Sequence, residues 1–105
     1  MANENPEIVN NEAAHQFEAE VDGHMAVLTY RHIGASLALD HTEVPPEIGG
    51  RGIASMLARA ALDHARAEHL EVAPNCPYVS AYLKKHSEYH DLLSEENLKK
   101  VLRHE

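Results

Sequence analysis

A glycine-rich segment followed directly by a helical pattern constrains this chain more than any other stretch. Gly49, Gly50 and Gly52 lie close together and are three of the five glycines in the chain. Glycine permits positive φ and lets a ligand approach the backbone closely. The first N–H groups of a helix have no intrahelical partners and lie at the positive end of its dipole. The segment therefore predicts a phosphate or pyrophosphate site, with an ordinary flexible turn before a surface helix as the alternative.

Two common phosphate-binding loops do not fit this segment. A P-loop requires Lys and then Ser or Thr after its last glycine, whereas Ile53 and Ala54 follow Gly52. The dinucleotide-binding pattern requires another glycine three residues after Gly52, and the chain has none there. Pro45 and Pro46 end a strand just before the loop, because proline cannot donate to a sheet ladder.

Hydrophobic periodicity around the loop predicts an α+β fold. Alternating patterns indicate strands over 15–21, 24–31 and 36–44, joined at Asp22-Gly23 and at Gly34, with shorter strands at 8–9 and 70–73. In the strand over 36–44, we expect Leu37, Leu39 and His41 on one side and Ala38, Asp40 and Thr42 on the other. Helices are predicted over 53–69, over 77–85 and after Ser94. This order predicts a mostly antiparallel mixed sheet with one βαβ crossover and helices packed on it.

Composition restricts the classes of partner. The net charge of −8 disfavours nonspecific binding to nucleic acid and gives a weak indication of a cationic acceptor. No apolar run is long enough to span a membrane, and the N-terminus does not resemble a signal peptide. A single cysteine, Cys76, cannot form an internal disulfide, so we expect a reducing, cytoplasmic setting.

The loop, taken with its flanks, resembles the acetyl-CoA pyrophosphate loop of the GNAT N-acetyltransferase superfamily. That loop has the pattern Arg/Gln-x-x-Gly-x-Gly/Ala, in which Gly49 stands at the Arg/Gln position and Gly52 and Ala54 at the two small positions. More of the chain, over 8–93, resembles the small YjdJ-type subfamily of GNAT-like proteins. The motifs that carry this resemblance are His41-Thr42-Glu43-Val44-Pro45, Pro74-x-Cys76-Pro77-x-Val79-x-x-Tyr82 and His86-x-x-Tyr89. It implies one reduced GNAT-like domain over 1–105, with a loose start over 1–7 and without the N-terminal helices that usually help to bind the acceptor.

The resemblance implies acetyl-CoA as cosubstrate. Its pantetheine amides would pair with the strand backbone near Thr42 and Val44, and its pyrophosphate would lie on the N–H groups of the glycine loop. Arg51 is a candidate substitute for the side chain missing at Gly49, and Lys84 and Lys85 could reach the adenosine 3′-phosphate, although such lysines are usually solvated. The expected cofactor-binding residues are therefore Thr42, Val44, Gly49, Gly50, Arg51, Gly52, Ile53, Ala54, Asn75, Lys84 and Lys85.

Four residues are candidates for the chemistry of acetyl transfer. Tyr82 lies where the family has a tyrosine acid, and its alternative role is packing. Cys76 could accept the acetyl group and pass it on, since a thiolate is a good nucleophile, or it could be a small apolar filler. Glu43 and His41 are candidate bases near the end of the strand, and their alternatives are an exposed glutamate and an interior histidine.

The sequence therefore predicts an acetyl-CoA-dependent N-acetyltransferase that acts on an unidentified small-molecule, peptide or protein amine, directly or through Cys76. The alternative is a non-catalytic CoA-binding or interaction module. We expect no metal site, because His86 and His90 have the i, i+4 spacing of H-E-x-x-H but the glutamate between them is in the wrong place, and they are interpreted as a solvated pair. A second copy of the chain could close the open acceptor side as a homodimer.

Overall fold

The computed structural model describes residues 6–103. Its strands are β1 (Ile8–Asn11), β2 (Gln16–Val21), β3 (His24–Ile33), β4 (Ser36–Glu43) and β5 (Glu71–Pro74). Its helices are α1 (Ile53–Ala67), α2 (Pro77–Lys85) and α3 (Glu95–Arg103), with short 3-10 turns over Pro46–Ile48 and Ser87–Leu92. Residues 1–5, most of the segment predicted to be a loose start, lie outside this range.

The five strands form one mixed sheet, which confirms the predicted α+β class. The strands are ordered β1-β2-β3-β4-β5, the first four pair antiparallel, and β5 pairs parallel to β4 after the crossover through α1. Only residues 12–15 connect β1 to β2, and this connection contains no helix. None of the helices within 6–103 is both long and apolar enough to cross a bilayer.

The core lies between α1 and one face of the sheet. Phe17 and Ala19 on β2 pair with Leu28 and Ala26 on β3, and all four side chains are buried. The buried stripe of α1 contains Ile53 and Leu57 and four further residues, Ala58, Ala61, Leu62 and Ala65. Alanine side chains let the helix approach the strands closely, and full burial of a leucine contributes about 1.5–3 kcal/mol.

A β-bulge at Asp40 changes the facing of the last residues of β4. Thr29 pairs with His41 while the next residue, Tyr30, pairs with Leu39, so Asp40 has no cross-strand partner. Thr42 pairs with the buried Leu28 and therefore shares the core face. The prediction that His41 lies on the side of Leu39 is wrong, because strict alternation holds only in a strand without an extra residue.

His86 and His90 are not the solvated pair that was predicted. The Nδ1 of His86 donates to the carbonyl of Tyr82 at 2.8 Å, and the Nε2 of His90 donates to the carbonyl of Leu83 at 2.7 Å. Since a carbonyl can only accept, these contacts fix which ring nitrogen carries the proton. Both rings are half-buried and bind carbonyl groups in the last turn of α2, where the Leu83 carbonyl also accepts from the His86 N–H.

Candidate functional site

The glycine loop is held between two buried anchors and leaves its N–H groups open. Ile48 before the loop and Ile53 after it are buried, so the backbone between them is fixed at both ends. Gly50 and Gly52 have φ of 80° and 75°, which explains glycine at these two positions. Within 6–103, the N–H groups of residues 50–55 donate to no backbone carbonyl, and α1 begins at Gly52 without a side-chain cap. The loop therefore presents several donors at the positive end of a helix.

Arg51 is directed away from the role suggested for it. Its Nη1 donates to Asp22 Oδ2 at 2.8 Å, with both side chains at least half exposed. Asp22 belongs to the turn between β2 and β3, so the ion pair ties the glycine loop to this hairpin. At Gly49, φ is −68°, and the nearest atom to an added Cβ would be the Pro46 carbonyl oxygen at an ordinary 3.5 Å. The backbone thus tolerates a side chain at the position where the family pattern has Arg or Gln.

β4 and β5 separate over the last residues of β4, before the chain reaches the glycine loop. β5 pairs with β4 from Ser36 to Leu39, and the Cys76 N–H then donates to the Leu39 carbonyl at 2.9 Å. From His41 to Glu43, β4 pairs only with β3. One edge of this part of β4, including the backbone around Thr42 and up to Val44, is therefore open to a ligand amide.

Cys76 lies where the pairing of β4 with β5 ends, and it is the N-cap residue of α2. Its thiol is buried, and Sγ lies 3.2 Å from the Oγ1 of Thr42, with either atom able to donate. Pro77 begins the helix, and no side chain caps it. The bulge brings this pair together, since it turns Thr42 to the core face.

His41 and Glu43 lie on the opposite, exposed face of β4. Their side chains are 66% and 72% exposed, with His41 Nε2 3.9 Å from Glu43 Oε1. The alternative of an interior histidine is therefore excluded. The two groups could exchange a proton with solvent or with a bound amine on this face, whereas the thiol of Cys76 faces the core side.

Tyr82 is packed within the helical layer. It is buried, and its ring stacks on that of His86 with centroids 3.9 Å apart. Burial is the main cause that raises the pKa of Tyr82, and the charges of Arg59 and Glu88 act on it as well. No hydrogen bond joins Tyr82 to Cys76 within the described residues.

Sequence reasoning missed a second tyrosine of α2, Tyr78, which lies nearer the N-terminal end of this helix than Tyr82. The hydroxyl of Tyr78 is 2.6 Å from the Oγ of Ser55. This contact joins the first turns of α1 and α2, next to Cys76 in sequence. Tyr78 is 37% exposed, in contrast to the buried Tyr82. Its spacing of four residues from Tyr82 was the available signal, because such residues share a helix face.

Asn75, Lys84 and Lys85 line a different hollow. It follows the outer side of α2, has a volume of about 770 Å³, and includes no residue of the glycine loop. The Asn75 amide donates to Asp40 Oδ1 at 3.0 Å, so it supports the bulge. Arg31 also binds Asp40, and its hydrogen bond, together with the Asn75 contact, outweighs the opposing effect of burial and holds the pKa of this carboxyl below its usual value. The structure thus groups these three residues with the bulge and α2 rather than with the loop.

Comparison of the fold defines the class of protein. The chain superimposes with a TM-score of 0.68 on the NMR structure of a GCN5-like candidate N-acetyltransferase from Staphylococcus aureus. The two are 31% identical, and the match covers 86% of this chain and 89% of that one. A family model described as GCN5-related N-acetyl-transferase matches residues 16–92, so this chain belongs to the GCN5-related N-acetyltransferase family.

Relatives in animals carry the same domain. The protein NATD1 of Mus musculus is 42% identical over 73 residues, which are 67% of this chain and 66% of that protein. NATD1 of Danio rerio is 38% identical over 79 residues, covering 70% of this chain and 72% of the relative. The resemblance found in the sequence motifs is confirmed, and the match spans about two thirds of these relatives.

Proposed function

We propose that the protein is an acetyl-CoA-dependent N-acetyltransferase that transfers the acetyl group to an amine. The observation that carries the proposal is the uncapped start of α1. The N–H groups of residues 50–55 lack backbone acceptors there, close to the gap between β4 and β5. Membership of the GCN5-related family supports the same reaction class.

The residues present fit acetyl-CoA. A pyrophosphate requires donors and space, and nothing lies within 4 Å of an added Cβ at Gly50 or Gly52. A pantetheine arm requires open backbone groups, which β4 offers between His41 and Glu43. Ile53 is buried and would contribute its N–H only, while the half-buried Ala54 would border the phosphate.

Direct transfer needs two bond changes and two proton transfers. The lone pair of the neutral amine attacks the thioester carbonyl, the C–S bond breaks, and the CoA thiolate leaves. The amine nitrogen loses one proton, and the thiolate gains one. Glu43 and His41 on the exposed face are candidates to accept the proton from the amine, and Tyr78 or Tyr82 to supply one to sulfur.

The route through Cys76 adds one intermediate. The Cys76 sulfur attacks the acetyl carbonyl, CoA leaves as the thiol with the proton that Cys76 gives up, and an acetyl thioester forms on Cys76. An amine then attacks this thioester and restores the cysteine. Thr42 supports this route because its hydroxyl can donate to the sulfur at 3.2 Å when the thiol is ionised.

Calorimetric titration tests the binding part of the proposal. Acetyl-CoA should bind at least about tenfold more tightly than acetyl-pantetheine, which lacks the pyrophosphate; a factor of ten corresponds to about 1.4 kcal/mol. Absence of binding at millimolar acetyl-CoA would contradict the proposal. Turnover with a panel of amines, followed by release of free CoA thiol, then tests transfer.

Intact-mass measurement tests the covalent route. After exposure to acetyl-CoA, the native chain should gain one acetyl group, and Cys76→Ala should gain none. Thr42→Val should slow the gain without abolishing CoA binding. An unchanged native mass, together with turnover of an amine, would leave direct transfer as the mechanism.

A non-catalytic CoA-binding module is the second candidate. Two observations favour it: glycine occupies position 49, where the family pattern has Arg or Gln, and residues 12–15 alone connect β1 to β2. Such a module would bind acetyl-CoA but would release no CoA thiol with any amine, and its mass would stay unchanged.

A further inference from the structure

A second hollow lies at the other end of α1 from the glycine loop. Its volume is about 400 Å³, within the range of about 300–1,000 Å³ that is typical of small-molecule sites. Six titratable side chains line it: Glu12, His15, Tyr30, His32, His64 and Glu68. Because α1 has 15 residues, its two ends are about 22 Å apart, so this hollow is distinct from the proposed acetyl-CoA site.

The fold positions the histidines of this hollow from three separate elements. His15 ends the turn between β1 and β2 with φ of 58°, a conformation uncommon for residues other than glycine. Its carbonyl accepts from the Tyr30 N–H at 2.9 Å, and its ring lies 6.1 Å from that of Tyr30. His32 packs edge-on against the other side of Tyr30 at 5.6 Å. His64 reaches the hollow from α1, where its ring contacts the edge of Phe17 at 5.7 Å.

The lining is rich in hydrogen-bond acceptors. Carboxylates accept only, and a neutral imidazole adds one acceptor nitrogen. The Tyr30 hydroxyl is already used, since it donates to Asn10 Oδ1 at 2.7 Å. Burial chiefly raises the pKa of Tyr30, and the charge of Glu12 adds to it, so this carboxylate lies near the hollow.

With the histidines neutral, the lining has two negative charges and no positive one, which favours a cation. A bare metal ion does not fit this arrangement. Across residues 6–103, no three His, Cys, Asp or Glu side chains converge as metal ligands. The volume is also larger than one ion needs, and the half-buried Leu70 adds an apolar wall. An organic ammonium matches both features, because it combines N–H donors with an apolar chain.

We propose that this hollow is a separate binding site for a small primary alkylammonium, held by Glu12, Glu68 and the imidazole acceptors with its chain against Leu70.

NMR titration of the full chain with butylammonium chloride at pH 8 tests the site. Saturable shifts should appear at the backbone amides of 12–15, 30–32 and 64–70 and leave the glycine loop unchanged. Equal concentrations of sodium chloride and of 1-butanol should not reproduce them. Shifts that match those of sodium chloride, or that spread over the whole acidic surface, would overturn the proposal.

A matched pair of double variants provides the second arm. Glu12→Gln with Glu68→Gln should weaken butylammonium binding about tenfold, as expected for the loss of two exposed charge contacts. Glu20→Gln with Glu95→Gln changes the net charge equally at exposed positions elsewhere and should leave binding unchanged. Equal effects of both double variants would contradict the assignment.

Discussion

The two ends of the helix pair α1 and α2 differ in how their backbone groups are satisfied. At the N-terminal ends, neither Gly52 nor Cys76 provides a side-chain cap. At the C-terminal ends, the ring of His90 binds a carbonyl of α2, and the Leu70 N–H closes on the Ala65 carbonyl of α1 at 2.8 Å. The protein satisfies backbone groups at the C-terminal ends of α1 and α2 with its own groups and leaves N–H donors at their N-terminal ends. This is the arrangement that an anionic ligand requires.

Helix α3 shows that the chain does cap a helix elsewhere. The Oγ of Ser94 accepts from the Asn97 N–H at 3.1 Å. Serine is among the preferred N-cap residues, whereas glycine and cysteine offer no comparable acceptor. The missing caps are therefore confined to the two helices that begin beside the gap.

Side-chain contacts follow the same division. Near the end of α1, Tyr89 donates to Asp63 at 2.7 Å, and Arg66 binds Asp91 at 2.6 Å while lying over the Tyr89 ring at 5.1 Å. We infer that these contacts stabilise the fold and that the uncapped N-terminal ends serve acetyl-CoA binding. Four substitutions test this division, in order of decreasing expected effect.

Substitution of Gly52 should have the largest effect on binding. Both Gly52→Asn and Gly52→Asp tolerate positive φ better than most residues, so the two variants share the same strain. Asp adds a negative charge and can cap the helix itself, and it should weaken acetyl-CoA binding at least about a hundredfold relative to Asn, or about 2.7 kcal/mol. Calorimetry measures this ratio, and equal affinities would show that no anion lies at the loop.

Tyr89→Phe should affect stability instead of binding. Loss of the bond to Asp63 should lower the free energy of unfolding by about 1–1.5 kcal/mol at pH 7, with unchanged affinity for acetyl-CoA. Burial and then the Asp63 bond raise the pKa of Tyr89 to about 12. Since the ordinary value is about 10, the stabilisation is complete below pH 10 and is lost as the pH rises to 12.

Urea unfolding at pH 7 and pH 11 separates these two effects. The native chain should lose more stability than Tyr89→Phe over this interval, because the variant lacks the titrating group. Parallel curves would contradict the role of Tyr89. Tyr78→Phe is the control, because it removes a tyrosine hydroxyl contact at the N-terminal ends of α1 and α2.

Ser94→Ala should lower stability by about 1 kcal/mol through loss of the α3 cap. Because α3 does not border the gap, affinity for acetyl-CoA should stay the same. Ser94→Asp, which can still cap, should retain most of the stability. Thermal unfolding followed by circular dichroism compares the three chains, and a change in affinity would argue against the division of roles.

Gly49→Arg should have the smallest effect, and it should be favourable. The φ of −68° suits any residue, and the added Cβ makes only an ordinary contact with Pro46. A guanidinium beside the phosphates should tighten acetyl-CoA binding by about threefold to fivefold, as for one exposed ion pair of up to about 1 kcal/mol. Gly49→Met, similar in length without the charge, is the control, and equal affinities would exclude a phosphate contact at this position.

Local sequence patterns predicted most of the fold. The hairpin at Asp22-Gly23 and the helix that begins at Pro77 were confirmed, because turn residues and proline fix their own backbone geometry. The parallel pairing of β5 followed from the crossover rule. Strand ends differed by one or two residues, which local propensity does not determine.

The candidate site was less predictable because it depends on contacts between distant residues. The bond between Ser55 and Tyr78 joins two helices, and the ion pair of Arg51 with Asp22 joins a loop to a hairpin. The facing of His41 depended on one extra residue in β4 that only pairing with β3 reveals. The catalytic roles of Cys76, Tyr82, Glu43 and His41 stay predictions.

The bulge at Asp40 determines which side chains at the end of β4 face the core and which face solvent. With one residue more than its partner strand, β4 presents Thr42 to Cys76, whereas the same residues in strict alternation from Leu39 would present Thr42 to solvent. A change that made Asp40 pair regularly with β3 would thus exchange the faces of His41 and Thr42 without altering either side chain. Arg31 and Asn75 both bind the side chain of Asp40 and thereby help to hold the bulge in place.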